Sequence, residues 1–178
     1  MRQFKTTSGW NLTHDDGTEN AYATNNEGGD QYTYFKGFKE TVFYAETKLT
    51  VTKHLNDPFP KFGIVLRNNN QQFFFFIEAN TTYTSKNVGY VQRTADGSDW
   101  DWANAKSIGN IDMVYKDGEY VTMGISKTGN VLSLYINGNI VTTATNISGF
   151  STNDSVVVGI LSFTTAISIK DYSIRKDV

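Results

Sequence analysis

Apolar and polar residues alternate along much of this chain with a period of two. In "ETVFYAETKLTVT", Phe43, Ala45, Leu49 and Val51 fall on one face, and Tyr44, Glu46 and Lys48 on the other. That is the pattern of a strand with one face in a core. "EYVTMGIS" and "VLSLYI" repeat it, with Val121, Met123 and Ile125 on one side of the first and Leu132, Leu134 and Ile136 on one side of the second. Between them "KTGN" reads as a turn, and "NGN" before "IVTTA" as the Asn-Gly turn of a hairpin. Near the end, "SVVVGILSFTTAISIKDYSI" predicts two more strands. No segment sustains a helical period. The expectation is an all-β chain, an antiparallel β-sandwich of jelly-roll type, as a single domain over residues 1–178.

One stretch, "KFGIVLRNNNQQFFFFIEAN", is too apolar for simple alternation and closes each of its two runs with a charge, Arg67 and Glu78. Directly opposed residues in a hairpin point to the same side, so the register decides which face each charge joins. If Phe62, Ile64 and Leu66 shared a face with Phe74, Phe76 and Glu78, a carboxylate would enter the core at a cost of several kcal/mol. The alternative pairs them with Phe73, Phe75 and Ile77 and gives a wholly apolar face, so this register is predicted. The other face then carries Gly63, Val65, Arg67, Phe74, Phe76 and Glu78. With a glycine opposite Glu78, it is expected to be an open platform for a small polar ligand.

Composition narrows the function classes. The chain has 12 Phe and 10 Tyr but 2 Pro, a balance that suits sheet. With 0 Cys, neither a disulfide framework nor thiol or cysteine–zinc chemistry is available. A formal net charge of -2 argues against nucleic acid held through phosphate contacts. No apolar run reaches membrane-spanning length, so no membrane insertion is expected. The start "MRQFKTTSGW" lacks a signal-peptide core and reads as the edge of a domain belonging to a larger protein.

The candidate chemistry is that of sugar recognition. Carboxylates and guanidinium groups bond hydroxyls at about 1.5–3 kcal/mol per charge-assisted contact. Aromatic rings carry sugar C–H faces for roughly another 0.5–1.5 kcal/mol. Glu46, Arg67 and Glu78 supply the first kind of group, and Tyr90, Tyr135, Trp100 and Trp102 the second, the tryptophans from "DGSDWDWANAK". Structural roles compete for each. Arg67 and Glu78 also read as strand-end charges in solvent, Trp100 and Trp102 as cover for a core edge, and Tyr135 as a cross-strand partner.

Catalysis finds less support. His14 and His54 lie in the loop-like stretches "THDDG" and "TKHLNDP" without a nucleophile motif. No Glu-x-Asp-x-x-Glu strand places an acid and a nucleophile on one face. Only a pairing of Glu46 with Glu78 across neighbouring strands would serve a hydrolase. "HDDGTEN" and "NDSV" carry oxygen ligands of the kind calcium uses but lack the full loop spacing, so they read as Asx-rich turns. A structural calcium is the one cofactor they leave open.

Taken in order, "VFYAETKLTV", "KFGIVLRN", "FFFFIEAN", "GYVQ", "SKTGNVLSLYINGNIV" and "VGILSFTTAISIKDYSI" resemble the concanavalin A-like sandwiches. The nearest likeness is to laminin-G-like and levan-binding carbohydrate-binding modules, and to similar modules in phage tail proteins. It covers residues 40 to 177, and the order and spacing of the motifs carry it. It implies two packed antiparallel sheets with a polysaccharide or oligosaccharide bound on the concave face or its rim. The family's early-strand acid falls on Glu46 and its arginine on Arg67, with Glu46 expected to orient Arg67. The expected setting is extracellular, at a cell surface or on a virion, and the expected role is binding without turnover. A hydrolase relative and a structural or protein-binding module are the alternatives.

Overall fold

A computed structural model describes residues 4–6, 10–15, 18–23, 30–35, 39–54, 59–78, 87–96, 99–109 and 118–176. Four strands come first: β1 (Phe4–Thr6), β2 (Trp10–Asp15), β3 (Thr18–Ala23) and β4 (Asp30–Phe35). The long β5 (Phe43–His54) is followed by the meander β6 (Lys61–Arg67), β7 (Gln71–Glu78), β8 (Asn87–Thr94) and β9 (Lys106–Gly109). A second meander is β10 (Val121–Thr128), β11 (Val131–Ile136) and β12 (Asn139–Thr145), and β13 (Val157–Phe163) and β14 (Thr165–Arg175) close the chain. The first sheet runs β1-β4-β13-β6-β7-β8-β9 and the second β12-β11-β10-β5-β14-β3-β2. Every pairing between these strands is antiparallel. The expected antiparallel sandwich is therefore the observed architecture.

The alternating positions do what the pattern predicts. Phe43, Ala45, Leu49 and Val51 of β5 join Val121, Met123, Ile125, Leu132, Leu134 and Ile136 in one buried cluster. The first sheet contributes Phe62, Ile64, Leu66, Phe73, Phe75 and Ile77 to the same core. These six come from one hairpin in the predicted register, with Phe62 opposite Ile77, Ile64 opposite Phe75 and Leu66 opposite Phe73. The Asn-Gly turn joins β11 to β12, with Asn137 at φ 49° and Gly138 at φ 80°. Two consecutive positive φ values match the primed turn that suits strand twist, where Asn and Gly are the residues of lowest strain.

Two expectations are corrected. The residue opposite Glu78 is Lys61, and Gly63 stands opposite Phe76. His14 and His54 lie within strands β2 and β5 rather than in loops. The first 35 residues, outside the stretch that carries the resemblance, supply four strands, so both sheets are wider than the motifs indicate. The acidic "HDDGTEN" is the β2–β3 hairpin, with residues 16 and 17 of its turn outside the described residues.

Candidate functional site

The face of the first sheet that points away from the main core is itself apolar. Val65, Phe74, Phe76, Val91 and Leu161 form a second buried cluster there with Trp100. Trp100 is 6% exposed and its ring lies 5.4 Å from that of Phe74. Trp102 meets Phe76 at 5.8 Å and Phe163 at 5.9 Å. The segment from 99 to 105 thus folds back over the sheet, pinned by the Asp101 N–H on the Gln92 carbonyl at 3.0 Å. The expected open platform is covered. Phe74 and Phe76 attract this cover because a half-apolar sheet face would otherwise stay in water.

The cover ends at Trp102, which is 36% exposed. Beneath its edge Lys61 and Glu78 face each other across the hairpin, with Nζ 3.1 Å from Oε2. The Lys61 ammonium also donates to the Phe59 carbonyl at 2.9 Å and sits 4.8 Å from the Trp102 ring centroid. Phe163 and the exposed Phe59 stand 5.7 and 5.6 Å from the same ammonium. The result is a rim of three rings around an ion pair, open on the Trp102 and Phe59 side. Such a rim offers apolar surface for a C–H face and a carboxylate and ammonium for hydroxyls.

The seven sequence candidates do not converge on one place. Glu78, Trp100 and Trp102 come together at and beside this rim, the two indoles 6.3 Å apart. Arg67 lies at the other end of the same hairpin, opposite Gln72, and donates through Nη2 to the Ala95 carbonyl at 3.2 Å. Tyr90 pairs with Phe75 and stacks on Phe73 at 5.1 Å, so it turns towards the main core and not towards the covered face. Glu46 and Tyr135 lie on the second sheet. Glu46 therefore neither orients Arg67 nor pairs with Glu78, and the two-carboxylate arrangement required for a hydrolase is not formed by these residues.

Glu46 has its own setting on the outer face of the second sheet. It accepts a hydrogen bond from Tyr44 Oη at 2.6 Å, and Tyr44 meets Tyr135 edge-on at 5.2 Å. Gly124 lies beside Glu46, and a Cβ there would come within 2.9 Å of the Tyr44 hydroxyl oxygen. Burial, followed by the hydrogen bond and charge of Glu46, pushes the Tyr44 phenol well above its ordinary pKa, with the Arg175 guanidinium 4.8 Å above the ring acting in the opposite sense. A hydroxyl so engaged is a fixed strut.

Pattern reading missed Lys61, Phe59 and Phe163. The missed signal was Lys61 itself, one residue before the predicted apolar face and in register with Glu78.

No protein-family model matches the chain, and no curated protein matches it. Solved structures do. Carbohydrate-binding module CBM66 from Bacillus subtilis superposes with a TM-score of 0.62 at 11% identity, over 97% of this chain and 94% of that one. The carbohydrate recognition domain of Emp46p gives 0.64 at 11% identity, over 99% and 89%. The κ-carrageenase of Pseudoalteromonas carrageenovora, solved with an oligotetrasaccharide, gives 0.55 at 8% identity, over 98% and 89%. These likenesses span nearly the whole chain, including the N-terminal strands. What these likenesses show is the fold, a two-sheet antiparallel β-sandwich of concanavalin A-like type.

Proposed function

We propose that the chain is a non-catalytic carbohydrate-binding module that takes a polysaccharide or oligosaccharide at the Trp102 rim. The observation that carries the reading is the half-open Trp102 ring held against Phe76 and Phe163 beside the Lys61–Glu78 pair. An aromatic held by packing and flanked by charged hydrogen-bonding groups supplies the two contacts a sugar ring needs, at little ordering cost. The fold supports it, since a carbohydrate-binding module and a carbohydrate recognition domain are built the same way. Two or three polar contacts and one or two ring contacts, less the cost of ordering the ligand, correspond to roughly millimolar to micromolar affinity.

The test is a glycan array followed by calorimetry on its best ligand, with a reducing-end assay on the same ligand. Binding without release of reducing ends, together with an emission change that Trp102→Ala removes, is the expected result. Release of reducing ends would make the chain a hydrolase. Binding undiminished in Trp102→Ala would place the site elsewhere.

A further inference from the structure

The outermost strand of the second sheet, β12, has one free edge. Among the described residues it pairs with β11 alone, and Ile140, Thr143 and Thr145 on it are exposed, Ile140 by 59%. Two-residue turns at 129–130 and 137–138 bound β11, so its hydrogen bonds alternate from fixed ends. Leu132 and Leu134 turn their backbone groups towards Ala144 and Thr142. The N–H and C=O of Thr143 and Thr145 therefore point away from the sheet, where no described strand receives them.

A sheet edge is ordinarily blunted by charge, proline or shortness. The other three edges here are blunted in that way. β1 has three residues around Lys5, β9 has four beginning at Lys106, and β2 ends in His14 and Asp15. β12 has seven residues, and no Lys, Arg, His, Asp, Glu or Pro occurs from 128 to 153. Its one protective device is a register shift between Leu134 and Tyr135. That shift lies at the turn end and leaves 142–145 regular.

We propose that β12 is a self-association edge, on which a second copy of this chain pairs antiparallel about a two-fold axis at Thr143. This register sets Thr143 opposite its own counterpart and Thr145 opposite Val141. Thr143 then exchanges both backbone hydrogen bonds with that counterpart. Cross-strand threonine pairs are favourable, and no like charges meet. A charged peptide would find no counter-charge along this edge, whereas the edge complements itself. Pairing consumes the free β12 edge of both copies, so the contact closes as a dimer. So short a pairing buries less than a standard interface, and the dimer is weak, with a Kd of about 0.1 mM. It uses no residue of the Trp102 rim and stands apart from the proposed function.

The test is sedimentation velocity of the whole chain from about 10 µM to about 1 mM, a range spanning that Kd. The chain should pass from monomer to dimer across it. Thr143→Lys changes an exposed position, opposes two ammonium groups at the axis and should stay monomeric. Because the chain has 0 Cys, Thr143→Cys supplies a single thiol and reads the same pairing without added charge. A short bismaleimide should link it into a covalent dimer at least about tenfold faster than Ser107→Cys on the β9 edge. A chain still monomeric at the highest concentration overturns the inference. So does a dimer that Thr143→Lys leaves intact, equal linking through Ser107→Cys, or association that runs on past the dimer.

Discussion

Lys61 and Glu78 stand opposite each other at the open end of the β6–β7 hairpin, an ion pair at 3.1 Å whose side chains are 9% and 17% exposed. A pair so shielded is held by its own geometry, and removing one member strands the other charge. Lys61→Met should therefore cost about 3 kcal/mol in urea denaturation, the lower end for breaking a buried pair. Adding Glu78→Gln should restore at least about 1 kcal/mol of that, because the stranded charge is gone. Strictly additive losses would mean the two groups do not feel each other.

The cover over the outer face makes a second prediction. Phe75 is 0% exposed between the sheets and Phe76 is 4% exposed beneath Trp102. Each truncation to Ala should cost about 3–5 kcal/mol, with the two values within about 1 kcal/mol of each other. An open platform would instead make the Phe76 loss much the smaller, so unequal losses would show that the 99–105 segment does not stay down.

Tyr44 should resist ionisation. Its folded pKa is raised by burial and by Glu46, while the unfolded value stays at about 10. Its contribution to stability is thus fully present below pH ~10 and is lost only as the pH climbs further through the folded value. Absorbance titration of the native protein should leave Tyr44 protonated after the exposed tyrosines have ionised. Tyr44→Phe should remove that late step and flatten the alkaline fall in stability. A native titration with every tyrosine ionising near its ordinary value would contradict the buried hydrogen bond.

How much of this was legible in the sequence depends on the range of the force involved. The register of the β6–β7 hairpin was readable because the competing register buries a carboxylate, a cost fixed by two adjacent strands alone. The fate of its outer face was not, since the segment carrying Trp100 and Trp102 returns over β7 only through tertiary packing. Period-two alternation placed Glu46 on an outward face, but it cannot say of which sheet. Its separation from Arg67 follows from the chain passing between sheets after β5. The N-terminal strands "WNLTHD" and "TENAYA" carry little apolar signal; they lie at the outer edge of the second sheet, where backbone pairing of β3 to β14 and of β2 to β3 defines them.

Arg67 and Glu78 offer the sharpest separation of the candidate binding residues, because one hairpin carries both at opposite ends. Arg67 spends Nη2 on the Ala95 carbonyl, which ties the end of β6 to the turn after β8. Arg67→Lys keeps the charge and loses the planar fork that makes this contact. It should lower stability by about 1 kcal/mol and leave affinity for the best array ligand within about twofold. Glu78→Gln keeps the shape but turns a charge-assisted acceptor into a neutral one beside Trp102. Its affinity should fall about tenfold, the value of one such contact. Calorimetry with thermal melts on both variants decides it. A tenfold loss in Arg67→Lys, with Glu78→Gln binding normally, would move the sugar to the Arg67 end and leave the Trp102 rim a purely structural cap.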